Sequence, residues 1–240
     1  MIELLAALAL LQAANPLEAP PAYRSETLSG FVAIENGRAV DGINYGNNEG
    51  LLSAGLIYAH SNGFFAGGEW LFSHGDGNAL PDAPVRALHT FAGYARTFGS
   101  HRFAVELLDY RLDAGDSRLG HQGIGLRYRY GAFEAELAHE RDRPYYYAYR
   151  DRFFRYDADR LVVGWRQDLG SGLYGSLGIG ASKADRIGSY RFITAGLHGR
   201  FGKADWQLGY TYAGEDIEGF YGGIDREQWL LRLAMPFRIL

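Results

Sequence analysis

The sequence predicts an all-β protein, a transmembrane antiparallel β-barrel of twelve strands joined up-and-down. Three observations predict it. From Thr27 almost to the C-terminus the pattern alternates with period two, in segments of ~9–11 residues that suit a tilted crossing of the hydrocarbon. Tight turns of two or three residues alternate strictly with connections that are mostly longer and polar or aromatic. Charges gather on one face of the strands and apolar residues on the other. An even-stranded barrel has short turns at one rim, longer loops at the other and both termini at the short-turn rim. A soluble sandwich has no reason to sort its loops this way.

Composition agrees. The chain has 240 residues, with 33 Gly, 17 Tyr and 15% aromatic residues beside only 7 Pro and 2 Met. Gly and Tyr spread evenly suit twisted strands with aromatic belts better than helices. No cysteine is present, which excludes disulfides, thiolate metal sites and thiol nucleophiles. The net charge of -4 gives no reason to expect a nucleic-acid partner. No apolar run approaches the ~20 residues of a spanning helix. MIELLAALALLQAANP has an apolar segment of the length of a signal-peptide core, although Glu3 stands where a basic residue belongs. Residues 1–22 are expected to be a signal peptide and 23–240 the barrel.

The clearest stretch is Ile124–Glu140. A turn at Gly131-Ala132 makes Arg129 face Glu134 and Arg127 face Glu136, with Tyr128/Ala135 and Leu126/Leu137 on the other side. In chain order the expected strands are Thr27–Asn36, Leu51–His60, Phe64–His74, Arg86–Phe98, His101–Asp113 and Leu119–Tyr130. The remaining six are Ala132–Arg141, Asp159–Leu169, Leu173–Lys183, Tyr190–Phe201, Ala204–Gly214 and Arg226 to Ile239. Tight turns fall at Ser61–Gly63, Gly99-Ser100, Gly131-Ala132, Gly170–Gly172 and Gly202-Lys203. Asp142 to Asp157 is expected to be the longest connection.

The phase of each strand assigns a lumen set: Glu69, Glu106, Arg127, Arg129, Glu134, Glu136, Arg166, Asp168, Arg200, Asp205 and Arg232. The opposite set is almost wholly apolar in mid-strand. Arg96 and His139 fall on the lipid side, near the rims, where a long side chain can reach headgroups. Paired charges of both signs can fill the interior and pin the register, or set a field for solutes.

Outside the strands the signals are weaker. In the aromatic stretch, Tyr145, Tyr146, Tyr147, Tyr149, Arg150, Phe153 and Phe154 could contact a glycan or lipopolysaccharide, or extend an aromatic girdle over the mouth. His60 and Ser61 are adjacent at a tight turn, so on a strand they point to opposite faces; Ser-Asn-Gly is ordinary turn chemistry. The acidic loop Glu215–Glu218 is a weak cation signal, and the histidines share no ligand spacing. No catalytic residue, metal or cofactor is expected.

The stretch DGINYGNNEGLLSAGLIYAHSNGFFAGGEWLFS and the FAGYARTFGSHRFAVELLDYRLD after it resemble the TorF (Gcw_chp) family of proteobacterial outer-membrane porins. The matching positions are Gly42, Ile43, Tyr58, His60, Gly63, Phe64, Phe65, Gly67, Gly93 and Tyr94. The resemblance implies a secreted outer-membrane barrel of a Gram-negative bacterium and supplies no functional residues. With a polar lumen, it leads us to expect porin-like passage of small hydrophilic solutes and no enzymatic activity. The alternatives are a non-conducting adhesion or structural barrel and, more remotely, a lipid hydrolase. The expected partners are outer-membrane lipid, lipopolysaccharide, such solutes and the barrel-assembly machinery, with both barrel termini periplasmic.

Overall fold

The computed structural model describes residues 26–36, 39–40, 43–44, 50–73, 85–114, 117–147, 152–185, 188–214 and 227–239. Twelve strands close into one antiparallel barrel. They are β1 (Thr27–Glu35), β2 (Leu51–Ala59), β3 (Phe64–Ser73), β4 (Val85–Phe98), β5 (His101–Ala114), β6 (Ser117–Tyr130), β7 (Phe133–Tyr147), β8 (Arg152–Gly170), β9 (Leu173–Ala184), β10 (Gly188–Phe201), β11 (Ala204–Ala213) and β12 (Glu227–Arg238). Each strand pairs with its chain neighbours, and β1 pairs with β12 to close the seam. A two-residue ladder, Ala39–Val40 with Ile43–Asn44, lies in the connection from β1 to β2. Residues 1–22 lie outside the described residues, as does the acidic loop Glu215–Glu218.

The alternating sequence produces the alternating burial. Along β2, Leu51, Ser53, Gly55, Ile57 and Ala59 are buried, while Leu52, Ala54 and Leu56 are exposed. The registers expected at the turns are present, including Arg129↔Glu134 and Arg127↔Glu136. So are Tyr58↔Ala66, Trp165↔Leu177 and Arg200↔Asp205. At 61–63 the turn is closed by Gly63 at φ 104°, with Phe64 N donating to Asn62 Oδ1 at 2.9 Å. Ser61 and His60 therefore belong to a turn.

The outer face is apolar and aromatic. Val32, Ile34, Leu56, Trp70, Leu107, Leu126, Leu137, Leu177, Ile179 and Leu231 are all exposed. Toward the tight-turn rim, Tyr94, Phe98, Tyr130, Phe201 and Phe237 form an exposed aromatic girdle. Arg96 points outward there, 5.2 Å from the Phe98 ring centroid. At the opposite border of the belt the outward residues turn polar: Asp109 with Arg111 and Gln122, and His139 with Asp159 at 2.9 Å. Between the borders β8 runs from Leu161 to Leu169 on this face. A nine-residue tilted strand spans roughly 20–25 Å, the height of an outer-membrane apolar band.

The connections at the second rim correct the expectation. Only residues 115–116 separate β5 from β6, and 185–187 separate β9 from β10. The stretch expected to be the longest connection is strand-paired, Pro144 with Arg155 and Tyr147 with Arg152, so β7 and β8 continue far past the belt. What distinguishes this rim at these hairpins is strand length. The expectation failed because charged and aromatic residues fall on both phases of this stretch, so its alternation has no apolar side to mark it.

Two glycines of the β3–β4 pair have a packing reason. Gly67 lies opposite Phe91 and Gly93 opposite Phe65. A Cβ on Gly67 would meet the Leu56 carbonyl oxygen and Phe91 Cζ, both at 2.6 Å; on Gly93 it would meet Phe65 Cζ at 2.5 Å. Each ring covers the other strand's glycine, inside the barrel. Gly67→Ala is expected to cost about 1–3 kcal/mol by overpacking, read as a lower urea midpoint in lipid vesicles. An unchanged midpoint would mean the rings are not seated there.

Candidate functional site

The barrel interior holds the charges. A chain of alternating sign runs across β5–β8: Glu106, Arg127, Glu136 and Arg160. Arg127 donates from Nη2 to Glu106 and its Nε lies 3.2 Å from Glu136 Oε2, while Arg160 donates to Glu136 Oε1. The register dictates this order. Arg127 stands directly opposite Glu136, and Glu106 lies over Gly125, whose missing side chain leaves room for it. All four are buried: Glu106 3% exposed, Arg127 7%, Glu136 8% and Arg160 5%.

A second group stands toward the extended hairpins. Glu140 Oε2 is 3.5 Å from both His121 Nε2 and Arg143 Nε. Arg143 faces inward because β7 carries a bulge there. Asp142 adopts φ 59°, and its N–H donates to Asp157 Oδ1 at 3.0 Å. The extra residue reverses the phase of the strand beyond it. At the seam, Ser53 Oγ donates to Glu35 Oε1 at 3.0 Å and Arg232 Nε to the same oxygen at 3.3 Å, tying β1, β2 and β12 together. The wall formed by β1–β5 is instead largely apolar, with Phe31, Ile57, Phe65, Phe91 and Leu108 buried in one cluster.

Nearer the tight-turn rim the inner wall opens to water. Arg102, Arg129, Glu134, Arg166, Tyr174, Asp205 and Gln207 are half-buried, and Asp168 and Arg200 are exposed. Arg166 Cζ sits 3.6 Å from the Tyr174 ring centroid. Tyr174 stacks on His198 at 4.5 Å, and Ser176 Oγ is 3.2 Å from His198 Nε2. Arg200 and Asp205 form a two-bond pair at 2.7 and 3.4 Å. Asp168 Oδ1 accepts the Gly170 N–H at 2.8 Å, capping its turn.

The structure thus places Glu69, Glu106, Arg127, Glu136 and Arg232 in the packed middle of the interior. Arg129, Glu134, Arg166, Asp168, Arg200 and Asp205 lie at its open end. Sequence reasoning missed Glu35, His89, Arg102, His121, Glu140, Arg143 and Arg160, all on the inner wall. Most were findable, since they share the phase of residues already assigned inward: Arg160 with Arg166, Glu140 with Glu134. Arg143 was not, because only the bulge turns it in. Of the aromatic stretch, Tyr145, Tyr146, Tyr147, Phe153 and Phe154 fall on the backbone of the β7–β8 hairpin. Tyr149 and Arg150 lie outside the described residues. Among the described residues no group of three or more His, Cys, Asp or Glu is placed to hold a metal ion.

Solved structures share this architecture. An outer-membrane channel from Pseudomonas putida F1 superposes with a TM-score of 0.56 at 11% identity, over 92% of this chain and 98% of that one. NanC porin gives 0.51 at 10% identity, over 89% and 100%. KdgM porin gives 0.50 at 10%, over 89% and 99%. This is the fold of an outer-membrane porin. At such identities the likeness is one of fold alone. No protein-family model matches the chain. No curated protein matches it.

Proposed function

We propose that this chain is an outer-membrane barrel for porin-like passage of small hydrophilic solutes, performing no chemistry. One observation carries the reading. Charges lie inside and an apolar, aromatic-rimmed belt lies outside, the reverse of a water-soluble barrel. The porin fold supports it. In this orientation both barrel termini and the tight turns face the periplasm, and the extended β7–β8 hairpin stands on the outer side. Its Tyr145–Tyr147 and Phe153-Phe154 segment is then a candidate contact for lipopolysaccharide or glycan. The barrel-assembly machinery would insert the chain, and a signal peptide in residues 1–22 would deliver it. Membership of the TorF family, expected from the β2–β5 sequence, would agree with this location, although no protein-family model matches the chain.

A second reading has its own observation. The inward side chains at mid-height, from Ser53 and Glu69 to His89 and Thr211, are almost fully buried, so the barrel is filled there. A filled barrel is a structural or adhesion module unless the ion-pair chain separates. Planar-bilayer recording of the refolded protein separates the two. Discrete conductance steps are expected for passage. A folded, heat-modifiable but silent barrel would sink it in favour of the filled barrel.

A further inference from the structure

The outer belt is not smooth. Over β8–β12 it is hollowed by a groove of about 580 Å³, within the roughly 300–1,000 Å³ of small-molecule sites. The registers explain its shape. One outward row reads Trp165, Leu177, Ala195, Tyr210 and Trp229 across the five strands. Gln167 and Gly175 begin the next row toward the tight turns. Trp165 forms one wall, and Tyr210 with Trp229, ring centroids 5.1 Å apart, forms the other. Ala195 and Gly175 make the floor. The row also climbs, since Trp165 is five residues from the end of its strand at Gly170 and Trp229 nine from Arg238. The groove therefore rises from near the tight-turn rim toward the middle of the belt.

The barrel itself does not require so low a floor. Glycine inside a strand weakens it, and it marks a bulge, a corner or the close approach of a ligand or another backbone. At Gly175 the ladder is unbroken on both sides, and its φ lies outside the left-handed region. A Cβ there would meet Leu169 Cδ1 at 3.6 Å and the Gly196 carbonyl oxygen at 3.9 Å, both ordinary contacts. Gly178 on the same strand is different, because its Cβ would lie 2.7 Å from Thr194 Oγ1. Packing demands the second glycine and leaves the first to another role.

The groove lies within the face that meets lipid, which limits what can fill it. Lipid tails and leucine are equally apolar, so a smooth belt selects no particular lipid. A hollow differs, because an unfilled void forfeits the van der Waals contacts of its lining. A flexible acyl chain restores them. A second copy of the barrel fits worse, since a two-fold contact sets the groove against itself and leaves a tunnel. The mouth is polar. Gln167 is exposed on this face, three residues before Gly170, and its Nε2 donates to the Asp168 carbonyl oxygen at 3.2 Å. An amide nitrogen has a second hydrogen to give, and a lipid ester carbonyl is an acceptor at that depth.

We propose that the groove binds one acyl chain of a phospholipid of the periplasmic leaflet. The chain lies between Trp165 and the Tyr210–Trp229 pair, and an ester carbonyl accepts from Gln167. The proposal rests on the outer-membrane reading and adds a specific lipid site to it.

The test is tryptophan fluorescence of the refolded full chain, quenched by a phosphatidylethanolamine with brominated acyl chains. In vesicles made wholly of this lipid, deep quenching is expected. Its absence would mean that the belt does not meet lipid, and the membrane reading would fall with the site. In detergent micelles, small additions of the same lipid test the groove alone. Quenching is expected to saturate near one lipid per barrel. Gly175→Leu fills the floor where a side chain has room, and should weaken binding by about tenfold or more with the melting temperature unchanged. Gln167→Leu removes the amide from an apolar face and should weaken it by about three- to tenfold. Deep quenching in vesicles with no saturation in micelles, or saturation alike in wild type and Gly175→Leu, would overturn the site and leave the membrane reading standing. A dimer in sedimentation that Gly175→Leu disperses would overturn it in favour of a second copy.

Discussion

Alanine in place of Arg127 is expected to destabilise the barrel by about 3–5 kcal/mol, the largest effect of any single change inside it. Arg127 lies between two carboxylates, Glu106 and Glu136, in a setting where it is only 7% exposed. Its removal leaves Glu136 with Arg160 on one side and Glu106 without the guanidinium that bonds it. A pair on the protein surface contributes ~0–1 kcal/mol, because water competes and salt screens. The size of the loss therefore measures how dry the interior is. Urea unfolding in lipid vesicles reads it, and Glu106→Gln added to Arg127→Ala should recover part, with a coupling of roughly 0.5–3 kcal/mol. A loss below about 1 kcal/mol would mean that water reaches the chain of charges, and the filled-barrel reading would lose its main support.

That interior was legible in the sequence as a set and illegible as a network. Phase alone put Glu106, Arg127, Glu136 and Arg232 on one face, since a one-residue slip would have sent them onto the outer, apolar face. The Gly131-Ala132 turn then fixed which residues oppose which, and Arg127↔Glu136 is the pair observed. Phase says nothing of how far a side chain reaches along the wall. The contact of Arg127 with Glu106 depends on a glycine, Gly125, that makes space for the glutamate beside it. Nor does phase survive a bulge: the left-handed Asp142 looks like any charged residue in a polar run, yet it alone brings Arg143 inside. The belt was plainer, because apolar outward residues border charged ones within each strand. The far rim was the least legible, since Arg143 to Asp157 mixes charged and aromatic residues on both phases and offers no apolar face by which strands are recognised.

The belt carries the second large expectation. Leu126→Arg should cost about 2–4 kcal/mol, whereas Tyr130→Arg, on the same strand and face, should cost about 0–1 kcal/mol. Leu126 is 50% exposed in the isolated molecule, midway between Gln122 at the polar border and Tyr130 beside the tight turn. In water an arginine at a half-exposed strand position would be neutral or would improve solubility. In hydrocarbon it must either desolvate its guanidinium or drag water and headgroups to the midplane. Near the rim it would reach the headgroups directly, as the outward Arg96 beside Phe98 is placed to do. The pair of substitutions thus compares two depths on one face of one strand, with the interior untouched. Folding into vesicles and urea midpoints for both proteins give the answer. Unequal costs in this order require a lipid-facing belt. Equal, small costs would mean that this face meets water, and with it the membrane, the orientation and the passage would all fall.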